Sequence, residues 1–150
     1  MDLHGIFHGL HQAVRGIDKG VNQVLAPYGI SASEWAVLTS LDKWGELTQK
    51  ALAEYMHLEA AAISKSVAKL EAKGLVVRKE GLDRRERKVA LAAKAKQAYA
   101  CWMECTGRHR QAVLADFTAE ELQALLQALQ RLQQNADQWK ENEVATHEQE

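Results

Sequence analysis

Six basic side chains, Arg78, Lys79, Arg84, Arg85, Arg87 and Lys88, fall within a stretch of eleven residues. Guanidinium and ammonium groups at this density can neutralise a row of phosphates, whereas charge alone is equally compatible with a solvated hairpin. Two further groups of residues have spacings that permit chemistry. His4, His8 and His11 recur at steps of four and three and so share one helical face, which Arg15 extends. Imidazoles at i and i+4 can chelate a metal, but no paired cysteine or carboxylate at a familiar metal spacing accompanies them, and a polar helix face is the simpler reading. Cys101 and Cys105 are one helical turn apart. Their Cβ atoms would lie about 5–6 Å from each other, too far for an unstrained disulfide inside an intact helix. Redox chemistry would then need an inter-chain bond or a single oxidised thiolate, for which Arg108 is the nearby cation; the alternative is two small hydrophobes.

Catalytic chemistry finds no footing. The chain has no G-x-S-x-G, no glycine-rich phosphate loop, and no Asp or Glu pair with a loop histidine, so no catalytic residue is assigned, no enzyme is expected and no cofactor is implied. Trp35, Trp44, Trp102 and Trp139 are read as core or interface residues. Two cysteines are too few for a disulfide scaffold, the N-terminus lacks the pattern of a signal peptide, and no window is apolar enough to span a membrane, which together give a cytoplasmic location with reduced thiols as the expectation.

The 150 residues carry 19 Lys plus Arg against 20 Asp plus Glu, a net charge of −1 that by itself argues against a polyanionic partner. Located along the chain, the balance changes. Residues 48–96 hold 12 basic and 6 acidic residues, a net of +6, and the remainder holds 7 and 14, a net of −7. A basic middle lies between acidic flanks.

The elements that must position these residues are mostly helices, given one Pro, nine Gly and abundant strong helix formers. Leu3, Ile6, Phe7, Leu10, Val14, Ile17, Val21, Val24 and Leu25 mark a long amphipathic helix that stops at Ala26-Pro27. Ser31 with Glu34 forms a capping box for a second helix that buries Trp35, Leu38 and Leu41 and ends before Gly45. Thr48 caps a short third helix, Gln49 to about Met56. After a break at His57-Leu58 a fourth runs to Gly74 with Ile63, Val67 and Leu70 facing inward. The β-prone runs Leu75–Lys79 and Arg87–Leu91 flank a polar segment that contains Gly81, which makes a hairpin. Tyr99, Trp102, Val113 and Leu114 belong to one long helical segment, and Thr118 with Glu121 opens a last helix striped by Leu122, Leu125, Leu126, Leu129, Leu132, Ala136 and Trp139. The first and last helices carry more apolar face than a small domain can cover, so part of it should pack on a second copy of the chain. The tail after Lys140 is polar and expected to fray.

Helix, turn, helix and hairpin make a winged helix-turn-helix. The stretch LTQKALAEYMHLEAAAISKSVAKLEAKGLVVRKEGLDRRERKVAL resembles that of the MarR family of bacterial transcriptional regulators, and LAPYGISASEWAVLTSL resembles the segment before it. LEAKGLVVR and the wing residues Asp83-Arg84-Arg85, similar to the family's D-x-R pattern, are the most specific pieces. The resemblance implies a mainly α fold with a small β-hairpin wing. Residues 1–30 form an N-terminal dimerisation helix, 31–93 the DNA-binding region, 94–140 C-terminal dimerisation helices and 141–150 a frayed tail, all one intertwined domain per chain.

By that resemblance the fourth helix enters the major groove of double-stranded DNA, Arg85 reaches a minor groove and Asp83 holds its guanidinium. Ser64, Lys65, Ala68 and Lys69 are the groove-facing candidates, and Arg78, Lys79, Arg84, Arg87 and Lys88 the phosphate contacts. A small, often aromatic and acidic effector is implied between the dimer helices and the winged domain, where His8, His11, Arg15, Trp35 and Trp102 would meet it. Two departures stand out. Ala60-Ala61-Ala62 replaces a Pro-Ser-Thr-like helix start and removes hydrogen-bond donors, and Ala92 and Ala95 replace a Thr and a Gly that would cap the fifth helix. The expected activity is that of a dimeric repressor on an inverted repeat. A winged-helix module that binds another protein, and a metal- or thiol-responsive regulator of the same fold, are the alternatives.

Overall fold

The computed structural model describes the backbone of residues 1–79 and 87–147 and the side chains of these through Lys140. Among the described residues, six α-helices and a three-stranded sheet follow in the order α1 (Leu3–Leu25), α2 (Ala32–Trp44), β1 (Leu47–Thr48), α3 (Gln49–Met56), α4 (Ala60–Ala72), β2 (Val76–Lys79), β3 (Lys88–Leu91), α5 (Ala93–Val113) and α6 (Ala119–His147). Met1–Val113 forms one compact unit and Leu114–Glu150 a second.

Local chemistry accounts for most of the boundaries. Asp2 accepts from the Gly5 amide at 2.8 Å and caps α1. Pro27 turns the chain through a short 3-10 segment, Ala26–Tyr28, closed by Gly29 at φ +66°, a left-handed conformation that favours a residue without Cβ. Both halves of the Ser31–Glu34 capping box are made, and the Thr48 hydroxyl accepts from the Ala51 amide to start α3. In α4 the amides of Gly74 and Leu75 fold back on the carbonyls of Glu71 and Leu70, which ends the helix with Gly74 at φ +70°. The fifth helix starts at Ala93 without a Thr at its head, and the Ala92 carbonyl accepts from the Lys96 amide.

Leu25, Leu38, Leu52, Ile63, Val67 and Leu70 form a fully buried core that joins α1, α2, α3 and α4, with Val76 and Val89 from the hairpin and Trp35 and Trp102 at one side. Trp35 packs against Tyr99 with ring centroids 5.3 Å apart and edge-on to Trp102 at 6.4 Å. Burial pushes the Tyr99 phenol up to about 12. The α1–α5 crossing is close: a Cβ added at Gly20 would run into the His109 imidazole.

The sheet has the order β1-β3-β2 and is antiparallel throughout, with Leu47 opposite Val89 and Arg78 opposite Val89 on the other side. Strand β1 is absent from the sequence reading, because two residues are too few for an alternation to register. Helix α6 continues to His147, past the Lys140 at which that reading places its end. The segment 141–147 contains neither Gly nor Pro to stop it.

A buried carboxylate ties α2 to the end of α4. Glu34 is 2% exposed and accepts at one oxygen from the Lys73 ammonium at 2.7 Å and the Ser31 amide at 3.2 Å, while Lys73 also donates to the Gly29 carbonyl at 2.5 Å. Lys73→Met leaves that carboxylate with one amide donor. The expected cost is about 1–3 kcal/mol, towards the lower end because Lys73 is partly solvated; urea denaturation that shows no loss would contradict it.

Candidate nucleic-acid interface

Helices α3 and α4 are joined by a turn that His57 makes possible at φ +51°, its amide reaching back to the carbonyls of Ala53 and Glu54. A non-glycine residue in that conformation costs about 1 kcal/mol or more, and the core around Leu52 and Ile63 holds it. The turn fixes which side of α4 faces outward. Ile63, Val67 and Leu70 are buried, whereas Ser64, Lys65, Ala68 and Lys69 are exposed. Lys65 and Lys69 are one turn apart and so present their ammonium groups along one line.

The hairpin adds a second basic surface to the same unit. Val76, Val89 and Ala90 anchor its base in the core, and Arg78, Lys79, Arg87 and Lys88 are exposed. Two of these are paired: Arg78 Nε lies 3.1 Å from a Glu71 carboxylate oxygen, and Lys79 donates to Glu46, which holds the Glu46 carboxyl below the usual range. Exposed pairs of this kind are weak, so a phosphate can replace the carboxylate. Asp83, Arg84 and Arg85 lie outside the described residues.

Of the residues proposed to surround an effector, Trp102 lines a cavity. This cavity, of about 560 Å³, is lined by Tyr28, Gly29, Lys73, Leu75, Lys94, Ala98, Cys101 and Trp102. Trp35 is behind Trp102, and His8, His11 and Arg15 are exposed on the N-terminal part of α1. At 1.5 Å per residue they lie roughly 20 Å or more along the helix from the Tyr28 turn, which explains why they do not contribute. Tyr28, Lys73 and Lys94 were not legible as site residues, because only the fold brings positions so far apart in the chain together. His4 and His8 stack at 6.1 Å, and among the described residues no three His, Cys, Asp or Glu side chains are grouped as a metal site requires.

Comparison with known proteins agrees with this geometry. Residues 28–86 match the model of the MarR family. The chain is 34% identical over 119 residues to the HTH-type transcriptional regulator YwoH of Bacillus subtilis, covering 79% of this chain and 87% of that one. Its fold superposes with a TM-score of 0.79 on the organohalide-sensing regulator RdhR-CbdbA1625 in its 2,4-dichlorophenol-bound form, at 25% identity over 88% of this chain and 79% of the other. The same score relates it to a MarR-family regulator of Listeria monocytogenes complexed with a 26mer DNA, at 20% identity over 89% and 90% of the two chains. With its helix-turn-helix, outward lysines and basic hairpin, the chain belongs to the MarR family of transcriptional regulators.

Proposed function

We propose that the protein is a homodimeric repressor that binds an inverted-repeat operator with α4 in the major groove and the hairpin along the backbone. The observation that carries this reading is the division of α4 into a buried apolar side and an exposed side with Ser64, Lys65 and Lys69. The DNA-bound Listeria relative of the same fold supports it. Dimerisation is supported by apolar residues left uncovered within one chain: Leu3, Ile6, Phe7 and Val14 on α1, and Leu125, Leu126, Leu129 and Leu132 on α6.

The operator should have half-site centres one helical turn, about 10–10.5 base pairs, apart. Gel shifts with genomic fragments from beside its own gene should give a fragment-selective complex that weakens with salt, and the absence of any such complex would defeat the proposal. Arg85→Ala separates it from a protein-binding module: DNA binding should be abolished, while a protein partner would be unaffected.

The cavity is the proposed effector site. Its size suits a small organic molecule, with Leu75, Ala98 and Trp102 for an apolar ring and Lys73 and Lys94 for a carboxylate or phenolate. Lys73 already binds Glu34 and the Gly29 carbonyl at the end of α4, so an anion that draws it away acts directly on the reading helix. The dichlorophenol-bound relative supports a phenolic ligand. Addition of 2,4-dichlorophenol should raise the melting temperature of the wild type and leave Lys73→Met/Lys94→Met unmoved; equal shifts in both would exclude this cavity.

A further inference from the structure

Cys101 is exposed and Cys105 half-buried, one turn apart on α5. Both sulfurs approach the same atom: the Tyr28 hydroxyl lies 3.2 Å from Cys101 Sγ and 3.7 Å from Cys105 Sγ. These contacts hold the Tyr28 proton well above the usual tyrosine range. The two side chains therefore converge on one point in front of the helix instead of pointing apart. Arg108 brings a guanidinium nitrogen to 4.0 Å from Cys105 Sγ.

A convergent pair that cannot close a disulfide within its helix can still be bridged. Two metal–thiolate bonds of about 2.3 Å each span a separation close to that between side chains on successive turns. The number of ligands decides the ion. Zinc requires four ligands in a tetrahedron, and among the described residues no third His, Cys, Asp or Glu joins the two sulfurs. Two thiolates alone suit a soft cation that is content with two-coordinate binding.

We propose that Cys101 and Cys105 chelate one cuprous ion per chain at the Tyr28 turn. Two S–H bonds break, two S–Cu bonds form, both protons pass to solvent and copper stays in the +1 state throughout. The resulting site carries one negative charge, which Arg108 offsets, and the Tyr28 hydroxyl gives up its place between the sulfurs. Cys101 and Tyr28 also line the cavity, so the ion would be accessible from it.

The test is competition for copper between the reduced, full-length protein and the colorimetric Cu(I) chelator bicinchoninate under anaerobic conditions. It reads metal and not DNA, so its outcome is independent of the operator proposal. The wild type should withdraw one copper per chain, and Cys101→Ser and Cys105→Ser should each bind at least 100-fold more weakly. The double variant Cys105→Ser/Met103→Cys retains two cysteines but moves one off the shared face, and it should bind as weakly as the single variants. A stoichiometry of one copper per two chains, single variants within a few-fold of wild type, or a shifted-cysteine variant that binds like wild type would each overturn the proposal. Circular dichroism of every variant establishes that α5 is intact; should Cys105→Ser unfold, Cys105→Ala and Cys101→Ser take its place.

Discussion

Lys65→Ala/Lys69→Ala is expected to lower DNA affinity by roughly 10–100-fold at 0.15 M salt while the fold is retained. Each ammonium that neutralises a phosphate releases a counterion, so removing two should reduce the slope of log affinity against log salt by about 2. Both side chains are exposed on α4, opposite the buried Ile63, Val67 and Leu70, and neither forms an ion pair among the described residues. Truncation therefore leaves no orphaned partner, and stability should move by no more than about 0.5 kcal/mol. Fluorescence anisotropy on a labelled operator across a salt series is the measurement. If the slope is unchanged, α4 does not face the phosphates and the docking geometry is wrong.

The second large effect concerns assembly. Leu126→Asp/Leu129→Asp on α6 is expected to raise the dimer dissociation constant by about 1,000-fold or more, equivalent to about 4 kcal/mol. Within one chain these leucines are 50% and 42% exposed, so the charges cost the isolated helix little beyond propensity. In a dimer that covers them, the same charges would be buried without partners. Sedimentation equilibrium should show monomers where the wild type is dimeric, and operator binding should fall with dimerisation, because two half-sites would be bound separately. A dimer that persists in the variant would place the interface elsewhere.

Much of this architecture is written in local patterns. The capping residues Ser31, Thr48 and Thr118 start helices where hydroxyl and amide chemistry requires, and Thr118 and Glu121 complete their reciprocal bonds at 3.2 and 2.8 Å. The spacing of Ile63, Val67 and Leu70 shows which side of α4 is inward, and hence that Ser64, Lys65 and Lys69 are outward. The cavity was not legible in this way. Tyr28, Lys73, Lys94 and Cys101 meet only after the α1 turn, the α4 terminus and α5 pack together, and no periodicity encodes such a meeting. The histidines of α1 illustrate the converse: a regular spacing is a property of one helix, and it places His4, His8 and His11 on an exposed face without specifying what meets them. Likewise the pairing of Arg78 with Glu71 and of Lys79 with Glu46 depends on strand placement, so charge counts overstate how many cations of the hairpin stand without a carboxylate neighbour.

Thr48 has two duties: its backbone is in register with Lys88 in the sheet, and its hydroxyl caps α3. The base of the wing and the first turn of the helix-turn-helix therefore cannot open separately without sacrificing a bond at the same residue. In hydrogen exchange, the amides of Ala51 and of the β1–β3 ladder should lose protection together, as one cooperative unit, and Thr48→Val should accelerate both.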